Sequence, residues 1–414
     1  MPSDTMQSTG DDQNPRYGWV MVFVAFSLTA MSFGSLGAVG VFLKPIAAEF
    51  GWSRGSTAFG YTVAAMGAAV FGILWGFLAD RNPTRYFSYM GAFAVAVSML
   101  LLSQTAAQWQ YYLSYGLFGA FGHAALVSPM WANVGQWFTR NKGTAIGIGM
   151  AGGAFGQAVV PFTARLLISA YDWQTAYMIL GAAFLVLGLL IASLTRDPPA
   201  KRARLAALRE GTAANSSWSL GEGRYVVGWF SAAVLFCCSC MSLAIVHVVP
   251  MLSDRGFTPE LAAGALTTLM LAGVFGRMGA GKICDLMGPL PTYATMSLGQ
   301  TVLVAWFPHI ESLVGVYVLA VAFGFTYSGV MACMVVCVNT MVPVEVGARS
   351  WSIVGFFAWI GMGLGSYAGG AVFDVTGGYP WAFALAALLG TLNLAVLAAF
   401  YISRRKRQIT LAAA

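Results

Sequence analysis

The sequence predicts an all-α membrane protein of twelve transmembrane helices, arranged as two pseudo-symmetric six-helix bundles. Three observations carry this. Of the 414 residues, 58% are hydrophobic and only 9% charged, whereas soluble domains carry about 25% charged residues. Apolar runs of bilayer-spanning length, about 20 residues each, recur along the chain, and they are continuous rather than the ten-residue alternations of a membrane barrel. A single long polar stretch near the middle separates these runs into two sets of six.

The elements follow in order. A polar, acidic tail (residues 1–17, with Asp4, Asp11 and Asp12) precedes the first span, 18–43. The tail is acidic rather than basic, and the span is long and has no small-residue cleavage site, so it reads as a first transmembrane helix and not as a signal peptide. Spans 56–79, 86–104, 110–138, 144–170 and 175–195 follow, separated by short breaks holding Arg54, Asp80-Arg81-Asn82-Pro83, Gln108, Arg140-Asn141-Lys142 and Asp172. With the first span they form an N-terminal bundle, 18–195. The stretch 196–223 carries Arg196, Asp197, Lys201, Arg202, Arg204, Arg209 and Glu210 and reads as a linker. Spans 224–252, 260–284, 290–308, 313–340, 347–373 and 380–402 form the C-terminal bundle, and residues 403–414 form a basic tail.

Lys and Arg placement orients the chain. With both termini on the cytoplasmic side, only Lys44, Arg54 and Arg255 fall in outer loops. Arg16, Arg81, Arg85, Arg140, Lys142, the linker cations, Arg224, Lys282, Arg349 and Arg404 to Arg407 fall inside. The expected location is the cell membrane, multi-pass, with cytoplasmic termini and cytoplasmic linker.

Several classes are disfavoured. The net charge of +7 sits in loops, with no basic stripe interleaved with aromatics, so no nucleic-acid partner is expected. No phosphate-binding loop of the G-x-x-x-x-G-K-[ST] type occurs, so ATP does not drive the protein directly. Nothing reads as a selectivity filter or charge ring. Cys237, Cys238, Cys240, Cys284, Cys333 and Cys337 lie within or at the ends of apolar runs without zinc spacing, and read as small core residues. The 20 methionines and 49 glycines read as packing material. No metal or cofactor is expected, and no enzymatic activity.

Two motifs recur at matching ordinal positions. Gly76-Phe-Leu-Ala-Asp80 ends the second span and Gly281-Lys-Ile-Cys-Asp285 ends the eighth. Ile146-Gly-Ile-Gly-Met-Ala-Gly-Gly-Ala-Phe-Gly156 lies in the fifth span and Ile360-Gly-Met-Gly-Leu-Gly-Ser-Tyr-Ala-Gly-Gly370 in the eleventh. Such glycine runs let helices approach closely and rearrange.

With these motifs the chain resembles the major facilitator superfamily. Gly76-Phe-Leu-Ala-Asp80-Arg81-Asn-Pro-Thr-Arg85 is similar to its signature between helices two and three, with the second glycine and basic pair replaced by Asn82-Pro83-Thr84. The resemblance implies a charge lock built from Asp80, Arg81 and Arg85, with Gly76 and Asp285 in the same structural role. Within the superfamily the chain resembles the monocarboxylate transporter family and the oxalate:formate antiporters. The likeness rests on Arg16-Tyr-Gly-Trp19, on Trp137-Phe-Thr-Arg-Asn-Lys-Gly-Thr-Ala-Ile-Gly147 with Gly152-Gly153, and on Arg277, eight residues before Asp285. It implies that Arg277 binds substrate. The chain departs from the family at Gly273, where animal members have a proton-coupling aspartate, and in the first helix, which has no lysine before Lys44. A second cation of the antiporter type is absent from the eleventh span, where Phe356, Phe357, Ala358 and Trp359 stand.

Arg277 is the most informative single residue. It lies mid-span with no acidic neighbour, and an intramembrane ionisable group is functional by default. Its guanidinium fork matches a carboxylate; the competing reading has backbone carbonyls satisfy it. His247, in the seventh span, either meets substrate or carries a proton, or else bonds a helix carbonyl as a neutral ring. The same two readings apply to His123 in the fourth span, whose small neighbours favour packing. Tyr327 in the tenth span is placed towards substrate by the resemblance, against ordinary aromatic packing. Arg165 reads as snorkelling to the outer surface, the other reading being a second cavity cation.

The expectation is a secondary transporter of small organic monocarboxylates, lactate- or pyruvate-like or aromatic, working as a monomer by proton-coupled symport with alternating access. A carboxylate exchanger or an efflux permease for another small molecule stands as the alternative.

Overall fold

The computed structural model describes residues 16–52, 54–210 and 223–413. Asp4, Asp11, Asp12, the 211–222 part of the linker and Ala414 lie outside the described residues. Helix is the regular structure throughout these residues. The first three spans are α1 (Tyr17–Phe50), α2 (Arg54–Ala79) and α3 (Thr84–Ser103). The fourth is composite: α4 (Gln108–Leu117), a π-helical turn at Phe118–His123, and α5 (Ala124–Trp137). Then come α6 (Lys142–Ala170), α7 (Trp173–Ser193), α8 (Pro199–Arg209), α9 (Gly223–Asp254), α10 (Pro259–Met287), α11 (Pro289–Trp306), α12 (Leu313–Met341), α13 (Gly347–Thr376) and α14 (Tyr379–Ala413).

Local chemistry sets the helix ends. Asp172 accepts the Thr175 N–H at the start of α7, Thr258 caps α10 with Pro259 in its first turn, and Ser312 accepts from Gly315 at 3.1 Å to open α12; each satisfies an otherwise orphaned amide. Gly51 and Gly377, both at positive φ, close α1 and α13 in the left-handed geometry that glycine adopts without steric cost.

Among the described residues, 10 helices are long and apolar enough to cross a membrane. The other two spans are the composite fourth and α11, and each has a reason. The fourth is interrupted by its π turn. The 18 residues of α11 include fully buried Thr292, Ser297 and Gln300. These are satisfied within the bundle: Tyr293 donates to Asn393 Oδ1 at 3.2 Å, Asn393 Nδ2 donates to Ser297, and Gln300 donates to the Cys237 carbonyl at 3.4 Å. Interhelical hydrogen bonds of this kind hold spans together where lipid supplies no hydrophobic drive.

The spans form two six-helix bundles, α1–α7 and α9–α14, and the glycine runs build corresponding seams in each. In the first bundle, a β-carbon at Gly152 or Gly156 of α6 would collide with the Phe26 or Ala30 carbonyl oxygen of α1. In the second, a β-carbon at Gly361 or Gly365 of α13 would collide with the Leu235 or Ser239 carbonyl oxygen of α9. The fifth and eleventh spans thus have equivalent partners, as the repeated sequence predicts.

The linker holds a helix that its polarity conceals. α8 opens on Pro199 and packs Lys201 and Leu205 inward. Asp197 receives the Thr84 N–H at 3.0 Å, Asn133 Nδ2 at 3.0 Å and Lys201 Nζ at 3.1 Å. Burial pushes the Lys201 amine below its ordinary value, and Asp197 opposes that shift. A polar segment becomes ordered here because its charges find partners on α3 and α5.

Candidate substrate-binding cavity

A cavity of about 200 Å³ lies between the bundles. Both contribute to it: Phe33 of α1, His123 of the π turn, Trp131 of α5 and Gln157 of α6 on one side, Arg277 of α10, Tyr327 of α12 and Trp359 of α13 on the other. Its walls are mainly aromatic and aliphatic, and no carboxylate lines it among the described residues.

Arg277 is 5% exposed. Its Nε donates to Ser328 Oγ at 2.9 Å, within its own bundle, and its Nη1 donates to the Met150 carbonyl at 2.7 Å, across to α6. Gly153 makes room for this crossing, since a β-carbon there would sit 2.8 Å from Nη1 and 3.0 Å from the Phe33 ring. Arg277 has no ion-pair partner among the described residues, and its Nη2 has no hydrogen-bond partner among them. The arginine is held in place by neutral acceptors, with no carboxylate compensating its charge among the described residues.

His123 is 3% exposed and shares a 2.8 Å hydrogen bond between its Nδ1 and Ser32 Oγ. Its ring stands edge-on to Phe33 at 4.6 Å and to Trp359 of the other bundle at 5.6 Å. The π turn presents it, and such turns concentrate at functional sites. Gly119 within the turn lies so close to α2 that a β-carbon would collide with the Ala64 carbonyl oxygen. Tyr327 lines the cavity, donates to Met270 Sδ at 3.2 Å and stacks on Phe323.

Three of the four expected substrate-binding residues, Arg277, His123 and Tyr327, therefore meet at one cavity. His247 does not line it: the ring shares a 2.9 Å bond with the Ser366 carbonyl and fills the space beside Gly369, 5.9 Å from the Tyr379 ring. Arg165 is exposed on α6, also off the cavity. Sequence reasoning missed Trp131, Trp351, Phe33 and Gln157. The available signal was tryptophan within a span, away from the interfacial belts where it usually concentrates.

One end of the molecule closes the two bundles on each other through the repeated G-x-x-x-D motifs. Asp285, in the last turn of α10, accepts the Gly143 N–H at 2.7 Å, the Thr144 N–H at 2.8 Å and the Thr144 hydroxyl at 2.5 Å, all at the start of α6. Asp80, after α2, accepts the Ala348 N–H at 3.1 Å and the Arg349 N–H at 3.2 Å, at the start of α13. Each aspartate thus sits on the positive end of a helix in the opposite bundle, where anions are favoured. The motif glycines permit this: a β-carbon at Gly281 would meet the Gly143 carbonyl oxygen, and one at Gly76 would meet Ser352 Oγ. Lys142 adds a 2.7 Å bond across the interface to the Asn339 carbonyl.

Asp80 also forms a 2.8 Å ion pair with Arg349, both side chains being almost wholly buried. Burial pushes the Asp80 carboxyl above its ordinary range, and the Arg349 guanidinium pulls against that. The lock expected from Asp80, Arg81 and Arg85 thus has Arg349 as the cation on Asp80, reached from the other bundle. Arg85 instead donates to Tyr89 at 3.2 Å and lies over its ring. Arg204 of α8 donates to the Asp80 carbonyl at 2.5 Å, so the linker helix touches this closure.

Two pseudo-symmetric bundles around a central cavity, latched at one end, define a multi-pass membrane transporter. The family model of the Major Facilitator Superfamily matches residues 25–350, and the chain belongs to that superfamily. It is 28% identical over 386 residues to monocarboxylate transporter 13 of Rattus norvegicus, covering 89% of this chain and 86% of that protein. It is 24% identical over 392 residues to monocarboxylate transporter 11 of Homo sapiens, covering 90% and 80%. A crystal structure of the transporter FucP in the outward conformation superposes with a TM-score of 0.71 at 16% identity, covering 92% of this chain and 99% of that one.

Proposed function

We propose that the protein is a secondary active transporter of small organic monocarboxylates, working by alternating access with protons as the coupling ion. The observation that carries this reading is Arg277: a buried cation in the cavity between the bundles, braced by neutral acceptors and lacking a carboxylate partner among the described residues. An uncompensated buried charge is costly, and a substrate carboxylate on its free edge removes that cost. Relatives named monocarboxylate transporters support the same substrate class.

In this reading the termini, the linker and the Asp80 and Asp285 latches face the cytoplasm, so the described state is closed inward and receives substrate from outside. The carboxylate docks on Arg277, which already reaches across to Met150. The latches then part and the bundles rock about the bound anion. One cation among apolar walls suits one carboxylate. With no acid lining the cavity, the transported proton rides on His123 or on the substrate itself.

The test is uptake of labelled acids into proteoliposomes. A pH gradient, acidic outside, is expected to drive monocarboxylate accumulation above equilibrium. Uptake that responds only to an internal counter-anion would make the protein an exchanger. No uptake of any carboxylate would overturn the reading.

A further inference from the structure

Trp131 leaves a buried donor unpaired in the cavity wall. Its side chain is 4% exposed and lines the cavity, and its indole Nε1 has no hydrogen-bond acceptor among the described residues. Three other tryptophans are satisfied: Trp75 donates to the Ala120 carbonyl at 2.6 Å, Trp137 donates to Asn133 Oδ1 at 3.0 Å, and Trp173 donates to Glu49. Buried indole N–H groups normally find a partner, and leaving one unmade carries the full desolvation penalty.

The surroundings say what kind of partner would fit. Phe33 stacks on Trp131, with centroids 6.1 Å apart and planes at 13°, and Trp351 meets it edge-on at 5.3 Å. Phe33 also abuts the space beside Arg277 Nη1, through Gly153, and lies 4.6 Å from His123. Phe33 therefore links the cation to an aromatic pocket holding Trp131 Nε1, which has no acceptor among the described residues, and His123, whose hydrogen bond among them is made by Nδ1 to Ser32.

We propose that Trp131, with His123 beside it, forms a second polar subsite, and that the transported acid has a flat apolar body carrying a hydrogen-bond acceptor remote from its carboxylate. This rests on the reading that Arg277 takes the carboxylate. The carboxylate sits on the C-terminal bundle, the remote acceptor receives the Trp131 N–H of the N-terminal bundle, and the aromatic walls cover the ring between. Such a ligand bridges both bundles, whereas a two- or three-carbon acid would leave the indole unpaired. Selectivity follows, because a site built to donate a hydrogen bond discriminates against an analogue that cannot accept one.

The test uses 4-methoxyphenylacetate and 4-ethylphenylacetate, which are close in size and differ in the remote acceptor. In the full-length wild-type protein the methoxy acid is expected to bind more tightly by about 3- to 10-fold, the range one neutral hydrogen bond supports. Trp131→Phe is expected to abolish that preference while still binding both acids. Replacing Trp131 with benzothienylalanine, which keeps the bicyclic shape and removes only the N–H, gives the same readout if the phenylalanine variant does not fold. Equal wild-type affinities for the two acids would overturn the subsite and leave the Arg277 reading intact. A preference surviving in the Trp131 variants would also overturn it. Failure of both acids to bind, with other carboxylates failing too, would instead remove the Arg277 reading and the subsite with it.

Discussion

Asp285→Asn isolates the contribution of one latch to the closed state. Asp285 makes no ion pair among the described residues; it acts through three hydrogen bonds to Gly143 and Thr144 at the start of α6. The substitution keeps the size of the side chain but removes its charge, worth about 0.3–1 kcal/mol at a helix N-terminus and up to about 2 kcal/mol when partly buried. It also turns one acceptor into an amide donor that must face an existing N–H, at about 1–3 kcal/mol. Together the closed arrangement loses about 1–5 kcal/mol, a shift of about 10- to 4000-fold in the equilibrium between closed and open at that end. Spin labels at Tyr86→Cys and Leu286→Cys, exposed positions on α3 and α10 at the latch end, report the separation of the bundles. In detergent or nanodiscs, Asp285→Asn is expected to move the main distance population to longer values. An unchanged distribution would refute the latch reasoning, since the mutated contact lies nowhere else than between the bundles.

Other substitutions probe other parts of the account. Asp80→Asn is expected to cost about 3–5 kcal/mol, because it takes the carboxylate from the buried Arg349 ion pair, and so to lower thermal stability more than Asp285→Asn does; a smaller loss would contradict the ion pair. Gly147→Val should abolish transport while preserving membrane insertion, because even a β-carbon there collides with the Arg277 carbonyl oxygen; normal uptake would mean the bundles never close as described. His123→Gln is expected to reduce pH-driven uptake more than counterflow exchange, while His247→Gln, which lies off the cavity, should affect both mildly and equally. Oxalate and succinate are expected to compete for uptake more weakly than monocarboxylates, because a second buried negative charge would lack a partner; equal competition would point to a further cation at the site.

Much of the fold was legible because membrane insertion forces every span to be long, apolar and helical, and the two glycine runs mark the α1–α6 and α9–α13 seams directly. Arg277 stood out as a candidate for the same reason: an arginine within a lipid-length apolar run is rare and costly. What sequence could not convey was angular position and distant pairing. His123 and His247 look alike along the chain, yet one faces the cavity and the other a helix carbonyl. The π turn that presents His123 adds a residue to the helical repeat, which no hydrophobic period reveals. The Asp80 lock was expected from neighbouring cations, but its partner Arg349 is 269 residues away. The α8 helix was hidden by its charges, since burial of Lys201 depends on Asp197 and Thr84 coming together in space.

The central claim is that Arg277 holds the substrate carboxylate through its guanidinium fork. The most direct measurement is carboxylate binding and uptake by purified Arg277→Lys and Arg277→Ala in proteoliposomes, after confirming that both variants are folded and inserted. Lysine keeps the charge but not the planar fork, and it cannot span both Ser328 Oγ and the Met150 carbonyl in the same way. Both variants are expected to lose carboxylate binding and uptake, with Arg277→Lys close to Arg277→Ala. Near wild-type uptake by either variant would contradict the assignment of Arg277 as the substrate anchor.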